Sequence, residues 1–128
     1  MALILGIETA TKNCSVALFK DGIVIAKKEH ISDGYTHAEQ LTLFIQDVIN
    51  LANITLKKVE AVAISMGPGS YTGLRIGTSI AKGLCYALDI PLIAISTLKA
   101  MSFAMAKNEE SAIYCPMIDA EKSITLIL

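Results

Sequence analysis

Three strand-like runs occupy the first 29 residues of the chain and leave few folds open. Residues 2–8, 14–20 and 23–29 are short and rich in apolar, β-forming side chains. Asp21-Gly22 lies between the last two runs and is typical of a tight hairpin turn, because such turns require positive φ angles. The sequence therefore predicts an antiparallel three-stranded meander at the start of the domain.

Helix and strand patterns alternate after this meander. Apolar side chains recur three and four residues apart over residues 38–52, which predicts an amphipathic helix. Residues 59–66 and 91–95 are short apolar runs typical of buried strands, and we expect further helices over 73–88 and 97–107. Strands separated by helices usually pair in parallel, with the helices packed on the faces of the sheet.

The order βββ-α-β-α-β-α is that of a ribonuclease H-like lobe, as found in actin-like ATPases, and it predicts an α/β fold with a mixed sheet. We expect this lobe to cover residues 1–108. Residues 113–118 and 123–128 have strand patterns, so residues 109–128 are predicted to begin a second lobe. Because the chain stops within an apolar strand pattern, we also expect that the rest of this lobe is missing.

Composition narrows the class of protein. Apolar residues make up 53% of the chain, which excludes intrinsic disorder, and 11 Lys and Arg against 12 Asp and Glu do not favour direct nucleic-acid binding. No apolar stretch reaches the roughly 18 residues of a membrane span, and the three widely spaced cysteines are typical of buried thiols. We therefore expect a cytoplasmic protein that buries some of its apolar surface against a partner.

The segment 67–73 (Gly-Pro-Gly-Ser-Tyr-Thr-Gly) is the clearest candidate site, because it lies between a predicted strand and a predicted helix. Backbone amides in that position can bind an anion. The spacing is neither that of a phosphate-binding P-loop nor that of a dinucleotide-binding loop, so a tight turn with close packing is the stronger interpretation. The turn at residues 8–11 is expected to be solvated. No arrangement of His, Cys, Ser or acidic residues indicates a catalytic or metal site.

The predicted helix 73–88 is apolar around much of its circumference, and a helix of this kind is normally buried. Gly73, Gly77 and Ala81 form a stripe of small residues that would let another backbone come close. Either the first helix covers this helix or a partner protein does.

Residues 65–77, together with 5–10 and 14–18, resemble the TsaB (YeaZ) family of bacterial actin-like proteins, which act in tRNA threonylcarbamoyladenosine synthesis. The similarity continues through 81–84 and 90–98. Glu8 stands where the family more often has aspartate. The residues of the family motif are Gly67, Pro68, Gly69, Ser70, Thr72, Gly73 and Arg75.

The resemblance implies a partner subunit that docks on the catalytic homologue TsaD through helices equivalent to 36–52 and 73–88. A TsaE-type ATPase would join, and TsaD would transfer threonylcarbamoyl to N6 of adenosine 37, with tRNA reached only through the complex. ATP and a divalent metal would belong to that complex and not to this chain alone. A homodimer through the same helices stays open. The expected interface residues are Leu41, Phe44, Ile45, Val48, Gly73, Ile76, Gly77, Ile80, Ala81 and Leu84.

The alternative is an enzyme, either a glycoprotease-like metallopeptidase or a nucleotide-dependent transferase. In the catalytic TsaD family, which this chain also resembles, the helix after the last strand carries a His-x-x-x-His metal site. This chain has Thr97 and Met101 at the matching positions, and neither side chain replaces imidazole as a ligand for such a metal. We therefore expect a non-catalytic role.

Overall fold

The computed structural model describes residues 2–31, 37–100, 117–119 and 124–126 of the chain. Residues 97–100 begin a further helix after the last strand of the main sheet. The other elements, in chain order, are β1 (Leu3–Glu8), β2 (Asn13–Lys20), β3 (Ile23–Ile31), α1 (His37–Leu51), a short 3-10 turn (Leu56–Lys58), β4 (Ala61–Gly67), α2 (Tyr71–Leu88), β5 (Leu92–Ser96), β6 (Met117–Asp119) and β7 (Ile124–Leu126).

Five strands form one mixed sheet in the order β3-β2-β1-β4-β5. β1, β2 and β3 pair antiparallel, whereas β4 pairs in parallel with both β1 and β5. The turn between β2 and β3 has Asp21 at φ 52° and Gly22 at φ 81°, as the hairpin prediction requires. The register shifts after Leu18, because Ala26 pairs with Leu18 and Val24 pairs with Phe19, which leaves Ile25 as a bulge. The predicted meander and mixed sheet are confirmed.

The hydrophobic core lies between one face of the sheet and the two helices. Successive side chains of a strand point to opposite faces, so Leu5 and Ile7 share a face with Val62 and Ile64, their neighbours on β4. α1 packs over β2 and β3, α2 packs over β4, and the helices contact each other. Burial of these apolar side chains between the sheet and the two helices stabilises the lobe.

The boundaries of the first seven predicted elements differ from the structure by at most two residues, and the start of α2 is the difference that bears on the site. α2 begins at Tyr71 and not at residue 73, because Ser70 caps the helix and brings the end of the glycine segment into its first turn. Residues 113–116 of the predicted strand 113–118 lie outside the described part of the chain, and its last two residues belong to β6, which pairs antiparallel with β7 within the predicted strand 123–128. Residues 101–107 of the predicted third helix lie outside the described part of the chain. The division into lobes at residue 108 stays a prediction.

Within the described residues, we find no helix with the length and hydropathy that crossing a membrane demands.

Candidate functional site

The carboxyl ends of β1 and β4 lie side by side, because the two strands are parallel neighbours. Both carboxylate oxygens of Glu8, at the end of β1, accept hydrogen bonds. Its Oε1 accepts a hydrogen bond from the Ala10 backbone N–H at 2.8 Å, and its Oε2 accepts one from the Ser65 hydroxyl on β4. The carboxylate therefore ties the turn after β1 to the neighbouring strand.

The glycine segment between β4 and α2 is tied to the same turn. The Ser70 N–H donates to the Ala10 carbonyl oxygen at 2.6 Å, and the Ser70 Oγ accepts from the Gly73 N–H at 3.2 Å. Ser70 is thus both the N-cap of α2 and the contact that joins the two loops. Gly67 has φ 119°, in a region that other residues rarely adopt, so the turn out of β4 requires glycine there.

The glycines of this segment and of α2 fit against Thr9 and Ala10. A Cβ added to Gly69 would lie 2.5 Å from the Ala10 carbonyl oxygen. A Cβ on Gly73 would overlap the Thr9 carbonyl oxygen, and one on Gly77 would overlap Thr9 Oγ1. These contacts confirm the close-packing interpretation of the segment.

The turn at residues 8–11, predicted to be solvated, is exposed at Thr11 but buried at Thr9 and Ala10. Thr9 is 3% exposed because Gly73 and Gly77 of α2 lie against it, and Ala10 is 1% exposed beside Gly69, just before that helix. The prediction missed these contacts, since the covering glycines come about 60 residues later in the chain.

The same hydrogen bonds decide whether these loops suit a phosphate group. The amides of Ala10, Ser70 and Gly73 already donate within the chain, to Glu8, to the Ala10 carbonyl and to the Ser70 hydroxyl. Pro68 has no amide hydrogen to offer. Three of the amides that could bind a phosphate group at this turn are therefore engaged within the chain. Across residues 2–31 and 37–100, no three His, Cys, Asp or Glu side chains come together as metal ligands would.

Six of the ten residues expected at a partner interface are buried within this chain. Leu41, Ile45 and Val48 pack into the core under α1, and Gly73, Gly77 and Ala81 are buried on the inner side of α2. At Gly73 and Gly77 the neighbour is the chain's own turn at Thr9, which is neither the first helix nor a partner, the two neighbours that the sequence left open. The remaining four are partly buried against the core: Phe44, Ile76, Ile80 and Leu84.

The outward side of α2 carries a stripe that the sequence reading passed over. Tyr71 and Tyr86 are 75% and 92% exposed, and Arg75, Ser79 and Lys82 between them are exposed as well. Spacings of four, four, three and four residues place all five on one line, the α2 stripe. The Arg75 guanidinium carbon lies 5.4 Å from the centroid of the Tyr71 ring, which is a cation–π contact. The periodicity of these polar and aromatic residues was the signal that could have identified the stripe.

A groove of about 330 Å³ runs between α1 and α2 beside this stripe. On its other side, α1 exposes Glu39, Gln46 and Asn50, with Leu43 also 57% exposed. We call the outward sides of both helices, with the groove between them, the helix layer. The groove is lined by Ala38, Thr72, Arg75, Ile76, Ser79 and Ile80.

The two cysteines within the described residues are free thiols. Cys14 is buried in the core and Cys85 is half-buried on α2. Burial raises the pKa of the Cys14 thiol, and it also raises the pKa of Cys85. Both thiols are therefore protonated near neutral pH, which agrees with the prediction of inert buried cysteines. Cys115 lies outside the described residues.

Comparison with known proteins gives consistent matches. The family model described as "TsaD: tRNA N6-adenosine threonylcarbamoyltransferase" matches residues 32–127. The tRNA threonylcarbamoyladenosine biosynthesis protein TsaB of Escherichia coli K12 is 38% identical over 117 residues, which cover 91% of this chain and 50% of that protein. TsaB of Haemophilus influenzae is 36% identical over 119 residues, covering 91% of this chain and 49% of that protein.

Structural comparison agrees with the sequence matches. YeaZ from Pseudomonas aeruginosa superposes with a TM-score of 0.88 at 29% identity, and the match covers 98% of this chain and 58% of that one. The fold is thus the actin-like, ribonuclease H-like fold that the element order predicted. The chain belongs to the TsaB (YeaZ) family of tRNA threonylcarbamoyladenosine biosynthesis proteins. It spans about half the length of the TsaB relatives it matches.

Proposed function

We propose that this chain is a non-catalytic partner subunit in the formation of N6-threonylcarbamoyladenosine at position 37 of tRNA. In this role it docks on a TsaD-type catalytic homologue. The observation that carries the proposal is the similarity to TsaB proteins over 91% of the chain, together with the YeaZ fold. A TsaE-type ATPase completes the assembly, which acts in the cytoplasm.

The helix layer supports the docking role. Tyrosine and arginine are enriched at protein–protein interfaces and supply much of their binding energy when water is excluded. Tyr71, Arg75 and Tyr86 are exposed on α2, with Arg75 lining the groove, so a partner that covers the helix layer could bury them. The formal charge of −1 favours tRNA contact through the complex over direct binding by this chain.

The site at the ends of β1 and β4 supports the non-catalytic part of the proposal. Three of the loop amides, those of Ala10, Ser70 and Gly73, donate within the chain, which favours binding of ATP and a divalent metal by the catalytic homologue over binding here. Thr97 is 3% exposed, and its hydroxyl has no hydrogen-bond partner within the structure. A threonine in that position supplies no imidazole to a metal.

A metallopeptidase or a nucleotide-dependent transferase is the alternative function, and the match to the TsaD family model is what favours it. Equilibrium dialysis of the isolated chain against zinc, manganese and ATP separates the two proposals. Stoichiometric binding of a metal or of ATP would favour the enzyme. The partner-subunit proposal expects neither to bind.

The main test is depletion of this chain in its native host, followed by mass spectrometry of tRNA nucleosides. We expect threonylcarbamoyladenosine to disappear and to return when the unaltered gene is supplied. A Tyr71→Ala/Tyr86→Ala variant should fold but fail to restore the modification or to co-purify with the TsaD-type protein. Lys57→Ala, an exposed change in the 3-10 turn away from the helix layer, is the matched control. Persistence of the modification after depletion would overturn the proposal.

A further inference from the structure

A cavity of about 570 Å³ lies at the opposite end of the sheet from the candidate functional site. It is bounded by the start of β1, the end of β2 and the connection from α1 to β4. Leu3 and Lys20 are paired neighbours on β1 and β2, and alternation along β1 places Leu3 on the same face as Leu5 of the core. Small-molecule sites usually have volumes of about 300–1,000 Å³, so this cavity is large enough for a small organic molecule.

Two irregularities of the backbone shape the cavity. Ile25 is the bulge residue of β3, and its side chain lines the cavity while remaining 41% exposed. Bulges commonly redirect a side chain in this way. Asn53 has φ 55°, and this left-handed residue ends α1 and leads the chain back to the cavity at Ile54. Leu3, Ala52 and Ile54 are partly buried and, with Ile25, give the cavity an apolar wall.

The free polar groups of the cavity are mainly hydrogen-bond donors. Lys20 and Lys58 line it, and neither forms an ion pair within 4 Å among the described residues. Glu60 is the acidic residue of the lining, and its Oε2 already accepts a hydrogen bond from the Leu3 N–H at 2.9 Å. The Val48 carbonyl oxygen near the end of α1 likewise accepts from a backbone N–H. The lining therefore carries two cations against one partly engaged carboxylate, which favours an anionic ligand.

We propose that the cavity binds a small organic anion with an apolar body, the class to which medium-chain carboxylates belong. The carboxylate binds to the ammonium groups of Lys20 and Lys58 through charge-assisted hydrogen bonds. The hydrocarbon body lies against Leu3, Ile25 and Ile54 and removes their remaining apolar surface from water. The helix layer and the candidate functional site lie elsewhere on the chain, so this inference does not depend on the proposed function.

A titration with sodium octanoate, followed by two-dimensional amide NMR spectra of the chain, tests the proposal. We expect the largest shifts at amides that border the cavity, among them those of Leu3, Ile25 and Thr55. Octanol has nearly the same body without the charge, and octylammonium carries the opposite charge. Octanoate should therefore bind more tightly than octanol, and octanol more tightly than octylammonium.

Substitutions separate the charged part of the site from the apolar part. Lys20→Ala/Lys58→Ala should weaken octanoate binding at least about threefold and leave octanol binding unchanged. Ile25→Ser removes apolar area and should weaken the binding of both ligands. Lys12→Ala/Lys57→Ala removes two exposed charges outside the lining and is the matched control, which should bind octanoate as the unaltered chain does. Thermal melting of each variant checks that the fold is retained.

Several outcomes would overturn the proposal. One is that octanoate shifts no amide below the concentration at which it forms micelles, and another is that the shifts fall chiefly in the helix layer. Octanol or octylammonium that binds as tightly as octanoate would also overturn it. So would full octanoate binding by Lys20→Ala/Lys58→Ala, because the two lysines would then not recognise the charge. Co-purification with the TsaD-type protein is measured separately, so the proposed function does not fall with this site.

Discussion

Replacing Gly77 by alanine should destabilise the chain, although the same substitution normally stabilises a helix interior by about 1 kcal/mol. The added Cβ would overlap Oγ1 of Thr9 and lie 3.5 Å from the Cβ and Cγ2 of the same residue. Thr9 has little room to move, because its carbonyl oxygen already lies against Gly73. Overpacking of a rigid contact costs up to about 3 kcal/mol, so we expect a net loss of about 2 kcal/mol in the free energy of unfolding.

Gly83→Ala is the matched control on the same helix. Gly83 is exposed and has nothing within 4 Å of its added Cβ, so alanine should stabilise the chain there by about 1 kcal/mol. Urea unfolding followed by far-UV circular dichroism measures both variants. The free energies of unfolding of the two variants should therefore differ by about 3 kcal/mol, and this difference comes only from the surroundings of the added Cβ.

A double-mutant cycle with Thr9→Ala isolates the contact. Removing the hydroxyl and methyl of Thr9 makes room for the Cβ at position 77, so the double variant should be more stable than the two single losses predict together. If the Gly77→Ala variant proves as stable as the Gly83→Ala variant, the reasoning is refuted. A cycle without coupling would show that α2 and the turn after β1 do not share this contact.

Three other outcomes are expected. Ser70→Ala should lower the free energy of unfolding by about 1 kcal/mol in urea titrations, while Ser70→Asp keeps the N-cap acceptor and most of the stability. Glu8→Ala should cost about 1–3 kcal/mol and speed hydrogen exchange at the Ala10 amide, whereas Glu8→Gln can still accept from that amide and should lose less. Burial raises the pKa of the Cys14 thiol, so the folded chain keeps this proton to higher pH than the unfolded chain does. The free energy of unfolding should therefore fall as the pH rises above the unfolded thiol's pKa of about 8.5. Cys14→Ala should make this fall between about pH 7 and 10 shallower.

Local signals predicted most of the sheet. The Asp21-Gly22 turn fixed the pairing of β2 with β3, and the apolar periodicity of 38–52 located α1 within one residue at each end. Both signals act over a few residues, so no knowledge of distant contacts was required. The parallel pairing of β4 with β1 and with β5 agrees with the expectation that strands separated by helices pair in parallel.

Predictions about the site failed where a contact joins distant parts of the chain. The spacing of Gly73, Gly77 and Ala81 shows that something packs closely on α2, but spacing alone does not identify what does. The neighbour is Thr9, whose turn looks solvent-exposed when only the adjacent residues are considered. The α2 stripe was not predicted, because its polar and aromatic residues alternate along the helix with the apolar residues that dominate its pattern.

The central position of β1 has a consequence for folding during synthesis. Leu5 pairs with Leu18 of β2 on one side and with Val62 of β4 on the other. β2 follows β1 almost directly in the chain, whereas β4 is synthesised about 50 residues later. At roughly 5–20 residues per second, the ribosome adds the intervening residues of the chain over several seconds. Throughout that interval β1 has an unpaired edge with isoleucine and leucine side chains, and such edges promote aggregation. The innermost strand of the finished sheet is therefore an outer strand for much of its time on the ribosome.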